Sequence, residues 1–146
     1  MIKVNFRKLN ENATAPTYGT EFSAGADLYA CENGEVTIEA GESKLIHTGL
    51  SLEIPEGYAG LLYARSGIAT KRGLAPANKV GVIDADYRGE IMVCLHNHSN
   101  TAQTIADKER IAQIVITPFL KVEYTETDEL SQTLRGEGGF GSTGKK

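Results

Sequence analysis

Apolar and polar residues alternate along most of this chain. Ile2, Val4 and Phe6 point to one side of an extended segment, and Lys3, Asn5 and Arg7 to the other. The same pattern predicts strands over residues 36–38, 44–54, 57–64, 80–83, 90–98, 101–106 and 111–118. Turn signals separate them: Glu32-Asn33-Gly34, Ala40-Gly41-Glu42, Pro55-Glu56-Gly57 and His98-Ser99-Asn100. Helical periodicity is scarce. One short helix is predicted from Ser66 or Gly67 to about Arg72, with Ser66 at its N-cap and Gly73 as its stop. Many short strands with frequent turns predict an all-β sandwich, jelly roll or barrel.

Composition narrows the class. A chain of 146 residues, 40% hydrophobic and 23% charged, is expected to fold as one domain with a proper core. It holds no apolar run long enough for a membrane span. The N-terminal alternation reads as a strand and not as a signal peptide, so a cytoplasmic protein with Cys31 and Cys94 reduced is expected. The net charge of −4 argues against broad binding to nucleic acid or anionic membranes. Any anion site must therefore be a local cluster. Composition shifts only near the end, which predicts a β domain over residues 1–125 and a flexible arm over 126–146.

That arm carries R-G-E-G-G-F-G-S-T-G, from Arg135 to Gly144. Glycine leaves backbone N–H groups open to phosphate oxygens, Arg135 adds a forked charge, and Phe140 adds a ring on which a base could stack. The stretch Gly139 to Lys145 spells G-x-x-x-x-G-K, but Lys146 stands where a P-loop needs Ser or Thr, and no helix follows. Arg65 and Ser66 at the start of the short helix suggest a second anion site; the plain alternative is that Ser66 only caps the helix. Asp84 and Asp86 could be ordinary turn residues in I-D-A-D-Y-R-G. His96 and His98 share a strand face, but no Cys or carboxylate at a suitable spacing completes a zinc site. Cys94 lies in an apolar strand and reads as core.

Five segments in order carry a resemblance. They are S-A-G-A-D-L-Y-A (23–30), A-R-S-G-I-A (64–69), N-K-V-G-V-I-D-A-D-Y-R-G-E (78–90), R-I-A-Q-I-V-I (110–116) and the arm. Together they resemble the trimeric deoxyuridine triphosphate nucleotidohydrolases, the dUTPases, nearly end to end. Ala64 departs from the pattern, where proline is more usual before R-S-G. The resemblance implies a jelly-roll subunit, a homotrimer with sites shared between subunits, and magnesium-assisted hydrolysis of dUTP to dUMP and pyrophosphate. It implies that Asp84 is the general base for a water attacking the α-phosphorus. Backbone at Val82 and Ile83 would meet the uracil edge, with Asn78 and Met92 near the nucleoside and Tyr87 against the deoxyribose. Arg65, Ser66, Gly67 and Gln113 would hold phosphates, with Ser66 near the leaving oxygen. Asp27 would steady Mg2+ through water. Arg135 would reach the γ-phosphate, and Phe140, Gly141, Ser142 and Thr143 would close over the substrate.

Two rivals remain in view. A dCTP deaminase-type relative would need a catalytic glutamate on the strand after the hairpin, where Cys94 falls. A non-enzymatic interaction protein on the same fold would have no need of the full set of Asp27, Arg65, Ser66, Asp84, Gln113, Arg135 and Phe140.

Overall fold

The computed structural model describes residues 2–139. Phe140, Gly141, Ser142 and Thr143 lie outside the described residues. The elements run β1 (Asn5–Lys8), β2 (Thr17–Tyr18), β3 (Ala26–Tyr29), β4 (Val36–Ile38), β5 (Ser43–His47), β6 (Leu50–Glu53), β7 (Tyr58–Tyr63), α1 (Ser66–Arg72), β8 (Leu74–Pro76), β9 (Gly81–Ile83), β10 (Met92–Asn97), β11 (Gln103–Ile105) and β12 (Arg110–Pro118). All pairings are antiparallel. The largest sheet has the order β2-β3-β12-β7-β9. Smaller ones pair β5-β10-β8, β11-β4 and β1-β6.

One core joins these sheets. It takes Leu28 and Ile114 from the five-stranded sheet, Ile46 and Leu95 from the three-stranded one, and Ile38, Ile105 and Leu52 from the small pairs. Ile68 is the buried residue of α1 and anchors the helix to this core. Gly73 ends the helix in the left-handed region, φ 68°, where a Cβ is disfavoured.

Two expectations are corrected here. The strand expected over 44–54 is two strands, because Gly49 at φ 66° turns the chain out of β5 and into β6, which pairs in a different sheet. Ser66 is the first helical residue and not the N-cap. Arg65 occupies the cap position with extended backbone, and no side chain caps the helix. Val4, just before β1, packs against the main core, whereas Phe6 of β1 stays out of it. Phe6 is about half exposed and shares an apolar groove with Val4, Pro16, Tyr18, Leu52, Ile114 and Ile116. After Pro118, residues 119–139 carry no helix or strand.

Candidate active site

The site is built on the solvent side of the five-stranded sheet. Strand alternation sends Ala26, Leu28, Ala112, Ile114 and Leu62 inward. Their neighbours Asp27, Gln113 and Tyr63 form one cross-strand row, because β12 pairs Gln113 with Asp27 on one side and Tyr63 on the other. The row floors a cleft of about 440 Å³ that is also lined by Gly25, Arg65, Ser66, Gly67 and Arg110.

Simple alternation would put Arg110 on the face opposite Gln113, three residues away. A register shift between Arg110 and Ala112 changes that. Ile111 and Ala112 are both buried, and Arg110 returns to the cleft side. It then donates from Nη1 to Oδ2 of Asp27 at 3.3 Å. Arg65 reaches the same carboxylate from the other side, with Nε 2.6 Å from Oδ1 and Nη2 3.4 Å from Oδ2. The resemblance did not place Arg110 in the site. Its signal, the bulge, is not written in any local residue pattern.

Asp27 is therefore a brace for two arginines. Two guanidinium groups against one carboxylate leave one net positive charge in the cleft, facing the space where an anion would lie. Arg65 keeps guanidinium donors beyond those it gives to Asp27. Ser66 is exposed, and its hydroxyl makes no hydrogen bond among the described residues, so capping does not occupy it. Gln113 is half buried and donates from Nε2 to the Ala64 carbonyl at 2.9 Å, which holds the turn leading into Arg65 and Ser66. Gly25 makes room for it. A Cβ at Gly25 would lie 3.1 Å from Cδ of Gln113 and closer still to Oε1.

A second, smaller pocket of about 220 Å³ lies at the hairpin-like loop between β9 and β10, strands that belong to different sheets and do not pair with each other. Leu45, Val82, Ile83, Asp84, Tyr87, Glu90 and Met92 line it. The Tyr87 N–H donates to the Asp84 carbonyl at 3.2 Å and closes the turn. The Asp84 carboxylate is exposed and makes no hydrogen bond among the described residues. A turn-forming aspartate would spend its side chain on nearby backbone N–H groups; this one leaves its oxygens open to water. Asn78 sits in the preceding turn, where its Nδ2 lies 3.3 Å from a Cβ built at Gly81, and it does not line the pocket.

Arg135 is not in either pocket of its own chain. It folds back within the arm, donating from Nε to the Gly138 carbonyl at 2.7 Å. Cys94 is half buried on the outer side of β10 opposite Leu45, while Val93 and Leu95 go inward, so it is not a core residue. The His96 and His98 rings meet edge to face, their centroids 4.4 Å apart, and Ser43 bonds His96. No group of three potential metal ligands occurs among the described residues. Nor is any helix there long and apolar enough to cross a membrane.

An antiparallel β chain with an arginine-lined anion cleft, and a second small pocket beside an open carboxylate, has the makings of a nucleotide-handling protein. The family described as dUTPase matches residues 11–144, and the chain belongs to it. It is 52% identical to the deoxyuridine 5'-triphosphate nucleotidohydrolase of Nautilia profundicola, over 99% of this chain and 100% of that protein. It is 48% identical to the one from a Hydrogenobaculum species, again over 99% and 100%. Among solved structures, the dUTPase of Staphylococcus bacteriophage 80alpha with dUPNHPP matches with a TM-score of 0.90 and 31% identity, covering 99% of this chain and 100% of that one. A mutant dUTPase from phage phi11 of S. aureus, in which a structural Mg(II) ion is coordinated, matches with a TM-score of 0.78 and 28% identity over 88% and 98%. The chain has the jelly-roll fold of these relatives, and membership makes it a nucleotidohydrolase.

Proposed function

We propose that this chain hydrolyses dUTP to dUMP and pyrophosphate by attack of water on the α-phosphorus, as a homotrimer whose sites are each shared between subunits. One observation carries the reading: the anion cleft and the hairpin pocket stand at opposite ends of β7. Asp84 follows Ile83, whose partner is Gly60, whereas Arg65 and Ser66 follow Tyr63. Gly60 and Tyr63 stand three residue steps apart, about 10 Å of strand. A general base and the group that steadies the leaving oxygen must serve the same phosphate within hydrogen-bond reach. That spacing along β7 supports a site in which the cleft of one copy faces the hairpin loop of another.

In such a site Asp84 orients the attacking water and takes its proton. Arg65, with Asp27 and Arg110 behind it, holds the phosphate oxygens, and Ser66 donates toward the oxygen that leaves with pyrophosphate. Uracil meets the backbone of Val82 and Ile83, and the Tyr87 ring lies against the deoxyribose where a 2′-hydroxyl would stand. Arg135, which lies outside both pockets of its own chain, reaches the γ-phosphate.

The donor set suits magnesium carried by the substrate and not a metal held by protein alone. Asp27 is the one carboxylate among the described residues that line the cleft. Arginine contacts take three of its roughly four lone-pair sites, which leaves one on Oδ1 to accept from a metal-bound water. Magnesium keeps most of its waters and favours phosphate oxygens, so one outer-sphere acid is enough. When bound, the ion supplies positive charge that offsets the charge developing on the phosphates.

The test is pyrophosphate release with dUTP, dTTP, dCTP and UTP side by side. Fast, magnesium-dependent release from dUTP alone is expected. Equal rates with dTTP or UTP would contradict the reading of the hairpin, and ammonia from dCTP would move the chain to the deaminase side.

A further inference from the structure

The hairpin pocket raises a question that the family motif does not answer: what holds the Tyr87 ring in place? Tyr87 is 41% exposed and lies outside any strand, so core packing does not fix it. Three contacts do. First, the ring lies directly over Gly89. A Cβ at Gly89 would come within 2.5 Å of Cζ and 2.9 Å of Cε2, and closer still to the hydroxyl oxygen. The ring is rigid, so it would have to leave as a body. Second, the Tyr87 hydroxyl donates to the Glu90 carbonyl at 3.0 Å. Third, Arg88 donates to the carbonyls of Ala85 and Tyr87, at 2.6 and 3.0 Å, and fixes the turn from which the ring projects.

The Glu90 carbonyl is itself held. The Glu90 carboxylate accepts from the Gly49 N–H at 2.8 Å and pairs with Nδ1 of His47 at 3.0 Å. That bond also holds the His47 imidazole above its ordinary pKa. On either side, the Ser51 hydroxyl donates to the Arg88 carbonyl at 2.7 Å and the Ile91 N–H donates to the Leu50 carbonyl at 2.8 Å. Residues 88–91, which return the chain toward β10, are thus stitched to the end of β5, the turn at Gly49 and the start of β6.

We propose that Gly89 and Glu90 are positioning residues for sugar discrimination, Gly89 as the open seat of the Tyr87 ring and Glu90 as the anchored acceptor of its hydroxyl. The proposal rests on the reading of Tyr87 as the wall that faces the deoxyribose. Gly89 is needed here for the absence of a side chain and not for an unusual backbone, since its φ is not positive.

The experiment compares kcat/KM for dUTP and UTP in the wild type, Tyr87→Ala, Gly89→Ala, Glu90→Ala and the two double variants with Tyr87→Ala. Melting and native mass confirm the fold and assembly of each. Tyr87→Ala should lower the dUTP-to-UTP ratio about tenfold or more, since the hydroxyl is no longer excluded. Gly89→Ala should lower it comparably, and Glu90→Ala about two- to tenfold, the size expected for one misplaced hydrogen bond. In the Tyr87→Ala background neither should lower it further, because the seat is then empty; a merely structural role would persist there. A wild-type ratio in folded Gly89→Ala, or additive losses in the double variants, would overturn the proposal. If Gly89→Ala fails to assemble, Glu90→Ala decides by the same two criteria. An unchanged ratio in Tyr87→Ala would instead strike the reading of the ring itself, so the two failures are distinct.

Discussion

Asp84→Asn should fold and assemble as the wild type does, bind a non-hydrolysable dUTP analogue, and lose about 10²–10⁴-fold in kcat, the usual cost of removing a general base. The expectation follows from where the carboxylate sits. It is exposed at the mouth of the hairpin pocket and makes no hydrogen bond among the described residues, so the fold does not depend on it. Asparagine keeps its size and can still accept a bond from water, but it cannot take the proton. The loss should therefore fall on kcat and leave analogue affinity close to that of the wild type. Single-turnover kinetics with a parallel binding titration would check this. A kcat near that of the wild type would remove Asp84 from the base role.

Arg65→Ala should lower kcat/KM by about 10²–10³-fold, the scale seen when one preorganised donor to a developing anion is removed. The cleft holds two arginines and one carboxylate, and losing Arg65 takes its net charge from +1 to zero. The variant should still fold. Asp27, whose side chain is 13% exposed, keeps its pairing with Arg110 and is not left as a buried unpaired charge. Arg65→Lys should recover little, because a single ammonium cannot bridge both Asp27 oxygens and face the phosphate as a planar fork does. Melting curves beside the kinetics separate loss of function from loss of fold. Activity within tenfold of the wild type would mean that the cleft does not grip the substrate through Arg65.

The physical signals differ in how far each can be read from the chain. β4, α1 and most of β12 are legible because β-branched alternation, or a short run closed by glycine, leaves one reasonable reading. The break at Gly49 is harder. Apolar alternation continues on both sides of it, and only the positive φ shows that the chain changes sheets there. β3 is easily missed as a strand because its two inward positions are an alanine, Ala26, and a single leucine, Leu28. In the site, Asp27, Arg65, Gln113 and Asp84 carry chemistry that a motif can flag. The bracing of Arg65 by Asp27, and the arrival of Arg110 beside it, depend on cross-strand register and one bulge, which are long-range properties. Tyr87 is visible as an aromatic in a turn, but its seat on Gly89 is a matter of distance alone.

Complementation between inactive variants tests most directly whether the two halves of a site come from different copies. Asp84→Asn has an intact cleft, and Arg65→Ala an intact hairpin. Each refolded alone should be nearly inactive. Unfolded together in equal amounts and refolded, they assemble trimers at random. A site then works only if its hairpin comes from an Arg65→Ala chain and its cleft from an Asp84→Asn chain. Each choice has even odds, so roughly one quarter of sites should recover activity in a symmetric trimer. If both halves came from the same chain, every site would lack one of them. Mixed trimers confirmed by native mass, with no dUTP hydrolysis above that of the separate variants, would contradict the shared site.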